Sequence, residues 1–152
     1  MKINIKASGV SRLQQNIKAQ ISRLHNLKPF WQLVGMYVQR RTVKERFDKE
    51  QSPDGTKWRA LSAARIKQRR RRHKTGSIKI LQDTGELRRS IQYEAGKDYV
   101  RVGSNLKYAK VHQFGGRHIP ARPFLGVTDD ERRYIMQDML EAYLIRHVFT
   151  SI

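Results

Sequence analysis

The hydrophobic period changes along this chain, and that change restricts its fold more than any single motif does. Val10, Leu13, Ile17, Ile21 and Leu24 are separated by 3, 4, 4 and 3 residues. That spacing is the stripe of an amphipathic helix, with Ser8 or Ser11 placed to cap it. Asn26-Leu27-Lys28-Pro29 breaks the pattern, and Pro29 suits the first turn of a second helix. This helix should carry Phe30, Leu33, Val34, Tyr37 and Val38 and run on towards Phe47, with the charged tail QRRTVKERFDKE in solvent. The short break predicts an antiparallel helix pair.

Beyond Ser90 the period becomes two. Ser90–Glu94 and Tyr99–Gly103 both alternate, and Ala95-Gly96-Lys97-Asp98 can turn between them. A β-hairpin follows, with Ile91, Tyr93, Val100 and Val102 as candidates for its buried faces. Ile78–Leu81 adds a strand or a short ordered lead-in before the Asp83-Thr84-Gly85 turn. Thr128 with Glu131 three residues later is a capping box that opens a final helix. Its apolar positions include Ile135, Met136, Met139, Leu140, Tyr143 and Leu144, and Arg146 and His147 near its end suit the helix dipole. The expected class is α+β: a small antiparallel β-sheet with an N-terminal helix pair and a C-terminal helix packed on it. At 152 residues the chain reads as a single domain, 1–152, with a basic loop at about 63–78.

Charge narrows the partners. Thirty-two Lys and Arg against 13 Asp and Glu leave +19, which implies an anionic neighbour such as nucleic acid, an acidic protein face or anionic lipid. With no cysteine, disulfides, thiolate metal sites and thiol nucleophiles are excluded. No signal-peptide core or membrane-length apolar window appears, so a soluble protein made in a cytoplasm, with no membrane partner, is expected. The sharpest shift in composition is RIKQRRRRHK, Arg65–Lys74, in which seven of ten residues are Lys or Arg. Like charges repel and favour an extended or mobile segment, a helix fraying towards Gly76 being the other reading. Arg65, Lys67, Arg69, Arg70, Arg71, Arg72 and Lys74 are therefore candidates for contact with DNA phosphates or an acidic partner. A plain solvated loop is the competing account.

Catalytic chemistry finds little support. His112 and His118 flank Gly115-Gly116, but a zinc site needs further ligands that neighbouring residues do not supply. His73 sits among cations. His112 then either packs near a subunit boundary or donates to a backbone carbonyl. Neither a G-x-S-x-G elbow nor a phosphate-binding glycine loop occurs. Two-metal phosphoryl chemistry needs clustered carboxylates; the acids here are scattered, and Asp129–Glu131 are explained by helix capping. Pro53-Asp54 is not followed by a Glu-x-Lys on the hairpin. No catalytic residue, metal, cofactor or small-molecule substrate is expected.

The stretch YAKVHQFGGRHIPARPFLG, Tyr108–Gly126, is of another kind. Tyr108, Ala109, Val111 and Phe114 make a short apolar face with His112 among them in sequence, and Gly115 and Gly116 allow a turn without a Cβ clash. Pro120 and Pro123 hold the residues before them extended, with Arg122 between them and Phe124 and Leu125 just ahead of the last helix. Such a stiff bridge loses little entropy on docking, so these residues are candidates for subunit or partner packing; a loop covering its own core is the other reading. Pro53, Asp54 and Gly55 form a turn, and Trp58 is placed to anchor that loop to the core.

The order of Phe47, Pro53-Asp54-Gly55 with Trp58 and Leu61, ILQDTGELRRSI, VRVGSNLKYAKVHQFGG and IPARPFLG resembles the phage virion morphogenesis family, also described as tail completion proteins. The resemblance is tight from Phe47 to about Gly126 and looser in the flanking helices. It implies a non-enzymatic structural protein of a tailed phage or prophage, needed to complete the tail or join it to the head. It further implies a homo-oligomeric ring at the neck, six subunits to match the tail, among neck, portal-side or tail proteins and near passing DNA. Localisation would be the neck end of the virion, after synthesis in the bacterial host cytoplasm. The arginine-rich run is a feature the family does not explain. A free, non-specific nucleic-acid-binding protein is the alternative.

Overall fold

A computed structural model describes residues 10–72 and 76–149; Ser8, His73 and Lys74 lie outside the described residues. Helix α1 spans Val10–Leu24 and helix α2 Lys28–Arg40, with Pro29 in the first turn of α2. The entry to α2 is pinned from outside, because Leu27 N donates to Lys97 O at 3.1 Å in the hairpin turn. The apolar face of α2 buries Phe30, Val34 and Val38. The two helices do not form a tight antiparallel pair: α1 packs chiefly on the end of the last helix, where Arg23 Nη1 donates to His147 O at 2.9 Å. Ile17, Ile21 and Leu24 stay nearly half exposed.

Beyond Arg40 the helix continues through a π-helical stretch, Arg41–Arg46, and a last turn, Phe47–Lys49. The expected solvated tail is half core. Thr42, Arg46 and Phe47 are buried, because the wider π turn brings Phe47 N onto Thr42 O and rotates this part of the helix inward. Glu50 stops the helix in the left-handed region, φ 52°, where its carbonyl accepts from Trp58 N at 2.9 Å.

Strands β1 (Gln92–Ala95) and β2 (Val100–Gly103) pair antiparallel, Tyr93 opposite Val102 and Ala95 opposite Val100. The hairpin lies on α2, and the approach is close. A Cβ on Gly35 would sit 2.3 Å from the Tyr93 ring, so only glycine admits that ring. Ile91 is buried just before β1, and its carbonyl accepts from Gln39 Nε2 at 2.6 Å. Ile78–Leu81 forms no strand; Ile80 and Leu81 enter the core as irregular chain.

Two apolar clusters result. Phe47, Trp58, Leu87, Ile91 and Phe124 centre one, and Phe30, Val34, Val38 and Ile135 centre the other, with Val102 touching both. The last helix opens as Asp129–Tyr134 with the capping box in place, Thr128 Oγ1 accepting from Glu131 N and Glu131 Oε2 from Thr128 N. It continues through a π-helical stretch (Ile135–Met139), an α-helical stretch (Leu140–Leu144) and a second π-helical stretch (Ile145–Phe149). Ile135 faces inward, whereas Met136 is nearly half exposed. Helices at both ends around a small antiparallel sheet make this an α+β fold. No helix among the described residues is long and apolar enough to cross a membrane.

Candidate functional site

The expectation of an extended or mobile arginine segment gives way to a helix, Ala63–Arg72. Its like charges are offset by one carboxylate. Asp83 lies 3.6 Å from Arg65, 3.5 Å from Arg69 and 3.8 Å from Arg72, and residues spaced three and four apart share a helix face. Arg69 is only 6% exposed and donates to Lys79 O at 2.7 Å. It belongs to the fold, not to an outward DNA-contacting face. Lys67, Arg70 and Arg71 are exposed.

The segment following Tyr108 is fixed from several sides. A short helix, Ala109–Phe114, ends at Gly115 with φ +85°, where a Cβ would crowd Ala121 N at 3.1 Å. Gly116 and Ile119 close a tight turn. Gln113 then clamps the extended chain: its Oε1 accepts from Phe124 N and Leu125 N at 3.0 Å each, and its Nε2 donates to Leu125 O at 2.8 Å. Trp58 is buried and donates to Pro123 O at 2.8 Å, while Pro53 packs so close to Gly126 that a Cβ there would meet it at 2.9 Å. Asp54 accepts from Thr56 N, and Gly55 takes φ +87°. Phe124 is 0% exposed and is core, not contact surface; Phe114 is 74% exposed.

Between this segment and the arginine helix opens a cleft of about 850 Å³. Its walls carry Arg59, Arg65, Arg69 and Arg122 against Asp83 and Glu86, with His112, His118 and Tyr108 beside them and Leu61, Leu81, Leu87, Ile119 and Pro120 as apolar surface. Arg122 is 6% exposed; its Nε donates to Arg59 O at 2.8 Å and its Nη2 to Ala60 O at 3.2 Å. No carboxylate pairs with it among the described residues. Burial, then the charges of Arg59 and Arg69, push its guanidinium below the usual arginine range. Arg69 is lowered by burial, partly offset by Asp83. His112 is held below the ordinary histidine value by burial first and then by Arg122, Arg65 and Arg69. Its Nδ1 is buried with no hydrogen-bond partner among the described residues, while its carbonyl accepts from Arg122 N at 2.7 Å. Tyr108 OH donates to Glu86 at 3.1 Å.

The two regions singled out by sequence thus face each other across one cleft. Asp83 and Gln113 were missed. Asp83 had a legible signal: no acid occurs between Asp54 and Asp83, so it is the first carboxylate after the cationic run. Gln113 had none, because a glutamine that clamps backbone looks like any other. No group of three His, Asp or Glu side chains is placed to hold a metal ion among the described residues.

Residues 8–145 match the model of the phage virion morphogenesis family. The chain belongs to that family. The chain is similar to the Mu-like prophage FluMu G protein 1 of Haemophilus influenzae, 36% identical over 93 residues, 61% of this chain and 64% of the relative. FluMu G protein 2 of the same organism is 39% identical over 70 residues, 41% of this chain and 51% of the relative. Protein G of Escherichia phage Mu, named provisionally as a capsid assembly protein, is 34% identical over 96 residues, 57% and 60% of the two chains. The chain thus spans less than two thirds of each of these relatives. No solved structure matches it.

Proposed function

We propose that this chain is a structural assembly protein of a Mu-like phage or prophage that completes the tail and joins it to the head. It acts as a ring of subunits at the neck, six to match the tail, and makes or breaks no covalent bond. The observation that carries this reading is the family match over residues 8–145. The name of the phage Mu relative, which assigns that protein to capsid assembly, is in keeping with it.

The geometry supports an assembly role in two ways. Gln113, Trp58 and the Pro53–Gly126 contact hold the 115–126 segment rigid, so docking costs little ordering entropy. Phe114 stands exposed beside it, the kind of aromatic anchor that carries binding energy at interfaces. A second reading, free non-specific binding to nucleic acid, draws on Lys67, Arg70 and Arg71, exposed on one short helix with no ion pair among the described residues. In the assembly reading those same cations face passing DNA or an acidic neighbour.

Deleting the gene and imaging the lysate tests the choice. Heads and tails that accumulate unjoined, restored by the gene in trans, are expected, and a particle reconstruction should place the chain at the neck. Normal particle yield without the gene would overturn the reading.

A further inference from the structure

The cleft beside the arginine helix holds a charge the fold does not neutralise. Three of its cations have an internal explanation: Arg65 and Arg69 share Asp83, and Arg59 is exposed to water. Arg122 has none. It is buried with backbone carbonyls for partners and arginines for neighbours, and a buried charge without a counter-ion is costly unless a ligand supplies one. The apolar part of the lining comes from Leu61, Ile119 and Pro120, together with the buried side chains of Leu81 and Leu87.

We propose that this cleft seats an extended acidic segment of a partner protein, with a carboxylate against Arg122 and apolar side chains on Leu61, Ile119 and Pro120. This rests on the assembly reading only in taking the partner to be a protein built into the same particle.

Charge complementarity selects an acidic occupant, since four arginines face two carboxylates and both carboxylates are engaged, Asp83 by arginines and Glu86 by Tyr108. The mixed wall selects a peptide over nucleic acid. Duplex DNA needs cations that project to reach its phosphates. Lys67, Arg70 and Arg71 project outside the cleft, whereas two of the four cleft arginines, Arg69 and Arg122, are only 6% exposed and sit too deep for a phosphate backbone. A single strand would need stacking platforms, and Tyr108 is the one aromatic ring on the walls besides the histidines. Carboxylates joined by leucine-like side chains satisfy both surfaces at once. Arginine forks also bind carboxylates with geometric preference, two N–H groups to two oxygens.

Arg122 itself holds the 59–60 backbone, so its removal would disturb the fold. The rim is the better target. The full-length protein is titrated into a labelled peptide alternating Glu and Leu, and separately into a short DNA duplex, at about 150 mM salt. Arg59→Ser/Arg65→Ser removes two cleft charges; Arg70→Ser/Arg71→Ser removes two from the arginine helix outside the cleft. Peptide affinity should fall about tenfold or more with the first variant and less than about twofold with the second, with DNA binding affected in the opposite order. Equal losses in both variants would reduce the cleft to diffuse attraction. Tight DNA binding lost with the rim variant alone would reassign it to nucleic acid, and failure to bind the peptide would overturn it too. Complementation of a gene-deleted phage separates the levels. If the wild-type gene restores joined particles and the rim variant does so equally well, this inference fails while the assembly reading stands. If the deletion has no effect on particles, the assembly reading fails.

Discussion

Glu131 does two jobs with one carboxylate. It completes the capping box of the last helix and pairs with Arg46 Nη2 at 3.0 Å and Arg41 Nε at 3.1 Å. Arg46 is 4% exposed, with further donations to Thr42 Oγ1 and Phe124 O. Burial lowers its guanidinium below the usual value and Glu131 opposes that shift. Glu131→Gln keeps a capping side chain but strands a buried cation, so it should cost about 3 kcal/mol or more in urea unfolding. Thr128→Ala, which removes only the cap, should cost about 1 kcal/mol; equal costs would show that the ion pair contributes nothing beyond the cap. His112 carries a pH prediction. Its folded value lies below the ordinary 6.5 because of burial and of Arg122, Arg65 and Arg69, with the Tyr108 ring packed edge-on against it. The unfolded chain therefore binds the proton more readily. The His112 contribution is fully present above about pH 6.5 and is lost as pH falls below it, no faster than about 1.4 kcal/mol per pH unit. His112→Gln should flatten this part of the stability curve, and an unchanged slope between pH 7 and about 5.5 would count against it.

Among the elements, the arginine helix is the one that local rules argue against most strongly. Seven cations in ten residues repel one another along Arg65–Lys74. Asp83, held across from it, and Lys79 O, which accepts from Arg69, supply the compensation that the local sequence lacks. Asp83→Asn should leave the two cores intact while amide hydrogen exchange over residues 63–72 speeds up about tenfold or more, a local opening and not a global one. Exchange that stays slow would mean the helix is held by something other than this ion cluster. The hairpin is the opposite case. Its alternation and turn residues specify it locally, and Gly35 only opens room for Tyr93.

For the whole molecule, +19 on 152 residues means that self-repulsion works against compactness. Raising salt from about 0.05 to 0.5 M shortens the range of that repulsion, so the melting temperature should rise. A fall would show that the ion pairs on Asp83 and Glu131, with that of Arg88 on Asp48 at 2.6 Å, outweigh the excess charge. Apolar surface stays open at Ile17, Ile21, Leu24, Phe114 and Met136.

Elements whose signals are local were legible in the chain: the α1 stripe, Pro29 at the start of α2, the hairpin and the Thr128–Glu131 cap. So was the family, through the order of short motifs from Phe47 to Gly126. Local pattern fails where a residue's neighbours are distant in sequence. It places Arg46, Arg69 and Phe47 by type and period, in solvent or in a charged run, whereas burial depends on what lies opposite. Arg46 meets Glu131, 85 residues on, and Arg69 meets Asp83 and Lys79. Periodicity tells which face of an element is apolar; only packing decides which charged group is buried beside it, because a counter-charge or carbonyl must arrive from another part of the chain before that burial becomes tolerable. The cleft that joins the arginine helix to the Tyr108–Arg122 segment is a product of that packing alone.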